Sequence, residues 1–258
     1  MTHDLWVAIG VMVAGLVFAW EKKRRAESDE RLWVLVALAI SLGAVGARLG
    51  TWLQHLRPGD NDALIAQWLY GNRSILSGLA FAYVAVIIGK RLLRYRERTG
   101  AYFAPAVAAG MAVGRIGCLL TERPGTPADL PWGVTVSSPA DAIAWGVPLG
   151  TTLHPSFAYE IAFHALAFVL LVRYRDRLTD PADLFTLYIT AYAIFRFAVE
   201  GVRGNEIAWM GLTRPQLFLS VTIPLLLWRS SLALRRPPAR APAGIAPVST
   251  PRHDRKRA

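Results

Sequence analysis

The chain has 258 residues, a formal net charge of +11 and a mean hydropathy of +0.32, with 53% hydrophobic and 18% charged residues. Soluble domains carry roughly 25% charged residues, so the composition argues against a soluble globular fold. The positive charge would suit a nucleic-acid binder. Here, however, Lys and Arg fall in short clusters between apolar runs, so nucleic acid is not an expected partner.

Apolar runs at about 5–20, 32–54, 74–89, 101–121, 156–172, 184–201 and 215–228 predict an all-α integral membrane protein of seven transmembrane helices. The first run lacks a basic leader and is followed by Lys22, Lys23, Arg24 and Arg25, so it reads as a retained helix rather than a cleaved signal. Several runs are short of the ~20 residues that span a bilayer core. Flanking Arg, Lys and Trp extend them by snorkelling. The 101–121 run is rich in Ala and Gly and holds Pro105.

The loops divide by charge. Of 29 Lys and Arg, 21 lie in the segments after the first, third, fifth and seventh runs, from Lys22 through Arg98 and Arg175 to Arg257. The alternate loops hold only Arg57, Arg73, Arg123, Arg203 and Arg214, and Arg48, Arg115 and Arg196 sit inside runs. This asymmetry predicts the N-terminus outside and the C-terminus in the cytoplasm. Residues 1–232 read as the membrane domain, and 233–258, rich in Pro, Ala and Arg, as a disordered basic tail near anionic lipid. Two longer outer loops, about 55–73 and 122–155, carry Trp68, Tyr70, Trp132 and Trp145. They read as ordinary interfacial packing or as a belt or lid. A single cysteine, Cys118, excludes an internal disulfide framework.

Arginine within a membrane helix costs at least ~2.5–3.5 kcal/mol near the centre. Arg48, Arg115 and Arg196 each fall near the outer end of a run, with Glu160 and Glu200 at similar depth. Arg196 and Glu200 are four apart, share a helix face and can pair. The plain alternative is a set of ion pairs between helices. Three embedded cations against two carboxylates instead suggest an anionic ligand, such as a phosphate head group from the outer leaflet.

Gly46-Ala47-Arg48-Leu49-Gly50 and Gly114-Arg115-Ile116-Gly117 both set an Arg between glycines, whose size lets a helix or a head group approach the backbone. His154-Pro155-Ser156-Phe157-Ala158-Tyr159-Glu160 opens the fifth run, and Pro155 suits a first helical turn. His154 is a candidate general base or phosphate partner, or an interfacial residue without a role. His164 reads as packed in its helix, and His3, His55 and His253 carry no signal. No metal or cofactor is expected.

Gly114-Arg115-Ile116-Gly117, Leu130-Pro131-Trp132-Gly133-Val134, His154-Pro155 with Tyr159-Glu160, and Arg196-Phe197 with Glu200 occur in this order. Together with Arg48 in its glycine setting and Gln216 just inside the last run, this series resembles the prolipoprotein diacylglyceryl transferases across roughly 46–220. The resemblance implies a multi-pass protein of the bacterial inner membrane, its site toward the outer side. Such an enzyme moves the diacylglyceryl group of phosphatidylglycerol onto the lipobox cysteine of a preprolipoprotein and releases glycerol phosphate. It implies Arg115 as the phospholipid-binding arginine and Arg196 with Glu200 as an essential pair. Arg48, Gly114, Gly117, Glu122, Tyr159 and Gln216 are then substrate-binding candidates, and His154 and Glu160 catalytic ones.

The chain departs from the family's pattern at several points. The family's His-Gly-Gly segment reads Ser74-Ile75-Leu76-Ser77-Gly78-Leu79 here, with Leu76 at the histidine. Cys118 replaces the Asn after G-R-I-G, and Ile9 stands for a first-helix Tyr. The loop after Cys118 is shortened. Glu122 keeps the family's carboxylate, whereas Arg123-Pro124 differ. The base for the thiol is then His154, Glu160 or Glu200. The alternatives are a divergent paralogue with another acceptor or no chemistry, and a lipid transporter or lipid-binding protein.

Overall fold

The structure is a computed structural model that describes residues 2–54, 68, 74–178 and 180–236. Among these, seven helices are long and apolar enough to cross a membrane. They are α1 (Thr2–Arg24), α2 (Arg31–Gln54), α3 (Ile75–Leu92), α4 (Gly100–Thr121), α6 (Ser156–Tyr174), α7 (Asp183–Arg203) and α8 (Arg214–Leu234). The protein is thus an all-α multi-pass membrane protein. Leu5, Met12, Leu16, Val221, Leu225 and Trp228 are exposed on α1 and α8, an apolar surface that a soluble protein would bury. The 55–73 loop apart from Trp68, and residues 237–258 of the tail, lie outside the described residues.

The Ala/Gly-rich run forms the hub of the bundle. Helix α4 packs against α1, α6 and α7, while α2 packs on α3 and α7 on α8. Small side chains make the crowding possible. A Cβ on Gly10 of α1 would meet the Gly110 carbonyl oxygen at 2.7 Å and the Gly114 nitrogen at 3.0 Å. One on Gly117 would meet the Trp6 Cβ at 2.9 Å and the His3 carbonyl at 3.0 Å. Gly117 therefore serves the α1–α4 crossing. Gly46 and Gly50 likewise receive Phe81 and Ser77 of α3. Pro105 is buried inside α4 without ending it, as neighbouring helices permit in a membrane.

Two apolar clusters fill the bundle. Phe18, Leu32, Leu35, Tyr95, Tyr102 and Ala106 join α1, α2 and α4. Ala104, Ala108, Leu171, Leu184 and Tyr188 join α4, α6 and α7. Below them, the basic loops are tied together at one end of the bundle. Fully buried Glu21 holds Arg24, Arg25 and Arg175, and Arg24 also reaches Asp176 at 3.0 Å. Arg98 and Arg236 share Asp180 and Asp183, with Arg236 at 3.1 and 2.9 Å. Burial works against an ionised Asp180. The Ala182 N–H and the guanidiniums of Arg98 and Arg236 nevertheless hold its carboxyl below the usual aspartate value.

At the opposite end the 122–155 loop is folded rather than merely draped. Strands β1 (Val134–Thr135) and β2 (Thr152–Leu153) pair antiparallel, with Val134 opposite Leu153. Between them, α5 (Pro139–Trp145) is capped by Ser138 and ended by Gly146 at φ 65°. A second hairpin, β3 (Ile207–Trp209) and β4 (Leu212–Thr213), connects α7 to α8.

Candidate functional site

The site is assembled where α4 ends, α6 begins and α7 ends. The 122–155 loop fixes this junction. Thr126 N–H donates to the Val202 carbonyl at 2.8 Å, and His154 N–H donates to the Thr126 carbonyl at 2.9 Å. Between them, a Cβ on Gly125 would strike the Val202 carbonyl at 2.5 Å, so only glycine lets the loop lie this close to α7.

Glu160, fully buried one turn into α6, is the centre of the charge cluster. Arg115 of α4 forms an ion pair with its Oε2. Arg203, the last residue of α7, donates from Nη1 to its Oε1 at 2.5 Å. Phe157 lies between the two arginines, its ring centroid 4.4 Å from Arg203 Cζ and 5.9 Å from Arg115 Cζ. An aromatic face stabilises a desolvated guanidinium there.

The second carboxylate, Glu200, pairs with Arg196 one turn earlier on α7, as the i, i+4 spacing predicts. It also accepts from Asn205 Nδ2 at 2.6 Å and from Thr213 Oγ1 at 2.9 Å. Arg196 acts electrostatically on Glu160, and Glu200 on Arg203, so the two pairs form one cluster. Three guanidiniums face two carboxylates, all with side chains at most 12% exposed. Buried charge is tolerable only when paired and hydrogen-bonded, and these carboxylates are. Arg115 Nε, Tyr192 Oη and Glu160 Oε2 are buried without a hydrogen-bond partner among the described residues, which leaves two donors and one ion-paired acceptor at the cluster.

Not every expected residue joins it. Arg203, expected in a loop, is a helix residue and a member of the cluster, and Phe157, Asn205 and Thr213 are likewise additions. Gln216, expected to bind substrate, completes the α8 capping box. Its Oε1 accepts from Thr213 N–H at 3.0 Å and its Nε2 donates to the Phe197 carbonyl at 3.4 Å. It thus holds Thr213 where Thr213 reaches Glu200. Arg48 donates to the Trp68 carbonyl at the end of α2. Glu122 is half-exposed at the α4 C-cap, 3.6 Å from His3 Nε2.

His154 and Tyr159 pair with each other at the start of α6, under the outer loop. His154 Nδ1 lies 3.3 Å from Tyr159 Oη, which accepts from Trp132 Nε1 at 3.0 Å. Trp132 of the outer loop thereby orients the His154 ring through Tyr159. His154 Nε2 makes no hydrogen bond among the described residues. His164 is fully buried, its Nδ1 2.9 Å from Tyr188 Oη, in keeping with a packed residue. Leu76 sits in the first turn of α3, whose N-cap Ser74 accepts from Ser77 N–H at 3.3 Å.

Comparison with known proteins meets this geometry. The family model described as prolipoprotein diacylglyceryl transferase matches residues 2–229. Three similar proteins are each called phosphatidylglycerol–prolipoprotein diacylglyceryl transferase. That of Finegoldia magna is 28% identical over 231 residues, covering 86% of either chain. That of Leifsonia xyli subsp. xyli is 32% identical, covering 82% of this chain and 68% of its own. That of Dehalococcoides mccartyi is 28% identical over 251 residues, covering 88% of either chain. The match runs through every element that carries the charge cluster, and the chain belongs to the prolipoprotein diacylglyceryl transferase family.

Proposed function

We propose that the chain transfers the diacylglyceryl group of phosphatidylglycerol to the lipobox cysteine of a prolipoprotein and releases glycerol phosphate. The observation that carries the reading is the buried surplus of one positive charge, Arg115, Arg196 and Arg203 against Glu160 and Glu200. A phosphodiester head group supplies the missing anion. In the reaction the thiolate sulfur attacks the glycerol carbon that bears the phosphate. The carbon–oxygen bond breaks, and its electron pair leaves on glycerol phosphate. Guanidiniums held in a low-dielectric site stabilise the charge that gathers on that leaving oxygen. The relatives' names favour this transfer over a transporter.

The thiol needs a base, and the geometry favours His154 over the carboxylates. Glu160 is ion-paired with both Arg115 and Arg203, and Glu200 accepts Arg196, Asn205 and Thr213, so cations hold both carboxylates in their charged form. His154 has a free Nε2 and a ring oriented by Tyr159, and a neutral imidazole suits proton transfer near pH 7. By the loop charges, the site faces the outer side of the inner membrane, residues 1–232 form the catalytic domain, and the basic tail lies in the cytoplasm.

The test supplies purified protein with phosphatidylglycerol and a lipobox peptide and follows glycerol phosphate. The expected result is release that disappears in His154→Gln and persists in His164→Gln. Undiminished release in His154→Gln would move the base to a carboxylate. No release from the unaltered chain, under conditions where a relative with the His-Gly-Gly segment works, would favour the divergent paralogue. Leu76→His with Ser77→Gly then becomes the follow-up.

A further inference from the structure

We propose that His3, Cys118 and Glu122 form a binding site for a divalent transition cation of the Zn2+ type at the outer junction of α1 and α4. The three side chains offer an imidazole nitrogen, a thiol sulfur and a carboxylate oxygen, all within 4.8 Å of one another. His3 Nε2 stands 3.6 Å from Cys118 Sγ and 3.6 Å from Glu122 Oε1. The Cys118–His3 approach is also that of a hydrogen bond to sulfur, whereas 3.6 Å is long for a direct hydrogen bond between His3 and the Glu122 carboxylate. Tetrahedral zinc suits both distances: bonds of about 2.0–2.3 Å place neighbouring ligand atoms about 3.3–3.6 Å apart.

The surroundings fit as well. Asp4 Oδ1 lies 3.5 Å from the other ring nitrogen of His3, in the position from which a carboxylate orients a metal-binding imidazole. The backbone is fixed, because Gly117 packs on the His3 carbonyl and because Glu122, the α4 C-cap, donates its N–H to the Cys118 carbonyl at 2.9 Å. Cys118 is buried and Glu122 half-exposed, so the donors form a cup closed on the protein side with a fourth position toward the outside. Arg115 Nη1 lies 3.7 Å from Cys118 Sγ. A bound cation would tie the start of α1 to α4 one turn from Arg115.

The test uses the full chain, purified in detergent through a histidine-free tag at the C-terminus, stripped with chelator and titrated with Co2+. Equimolar uptake is expected, with a thiolate-to-cobalt charge-transfer band that Zn2+ bleaches. Cys118→Ser should abolish the band. His3→Gln and Glu122→Gln should weaken binding by about tenfold or more, and Asp4→Asn by about tenfold. His154→Gln should bind as the unaltered chain does. His3→Gln, at a half-exposed helix start, keeps the test valid if Cys118→Ser does not fold. Absence of the band in the unaltered chain, or metal uptake unchanged in His3→Gln, would overturn the proposal.

Discussion

Replacing Arg203 with Ala tests the charge surplus where it is most separable from folding. Glu160 keeps Arg115 in this variant, so no carboxylate is stranded. The stability loss should then stay below the roughly 3–5 kcal/mol of breaking a buried pair outright. It includes about 1 kcal/mol for the guanidinium stacked 4.4 Å from Phe157. The cluster, however, falls from three cations against two carboxylates to two against two. An electrostatic group removed from a preorganised site costs about 10²–10³ in rate. Glycerol phosphate release from phosphatidylglycerol, measured per inserted molecule, should fall by that factor. Arg203→Lys keeps the charge but loses the planar fork and the stacking, and should recover only part of it. Release within about threefold of the unaltered chain in Arg203→Ala, at matched expression, would refute the surplus-charge argument.

Three other outcomes follow from named contacts. Gly10→Ala should lower stability by about 1–3 kcal/mol in thermal melts, because its Cβ meets the Gly110 carbonyl at 2.7 Å. Gly15→Ala, with open space around its Cβ, should be neutral or stabilising. The carboxyl of Asp180 titrates below its unfolded value, so its contribution is present above about pH 4 and is lost as pH falls further. Melting in detergent should show an acid limb that Asp180→Asn flattens, at the cost of a lower midpoint at neutral pH. A reporter active only in the cytoplasm should give signal when fused after residue 258 and none after Pro139, and the reverse would invert the membrane orientation.

Much of this architecture is readable from the chain because a membrane enforces simple rules. Seven apolar runs become seven helices, and a charge inside such a run is costly enough to mark Arg115, Glu160, Arg196 and Glu200. The Arg196–Glu200 pair is local, so spacing alone reveals it. Arg203 was within reach of the same reasoning. It lies seven residues after Arg196 and three after Glu200 on one helix face, but the apolar run ends at 201 and the helix at Arg203. Hydropathy falls before the last turn does.

Partners between helices carry no spacing signal. Nothing local says that Glu160 collects Arg115 and Arg203, or that His3 meets Cys118 across 115 residues of chain. Gln216 also caps a helix and Gly117 also packs at a helix crossing, because capping and close packing favour the same residue types as ligand binding. The Ala and Gly content of α4 reflects its central place, since small side chains pack against three helices where larger ones face lipid.

Release of glycerol phosphate alone does not separate transfer from hydrolysis, since a phospholipase C-type hydrolysis of the diacylglycerol–phosphate linkage gives the same product. The direct measurement is the mass of the lipobox peptide after incubation with the purified chain and phosphatidylglycerol of defined acyl composition. The account predicts one added diacylglyceryl group on the cysteine, absent with a serine-substituted peptide and absent in Arg196→Ala protein that still inserts in the membrane. A peptide of unchanged mass while glycerol phosphate accumulates would contradict it.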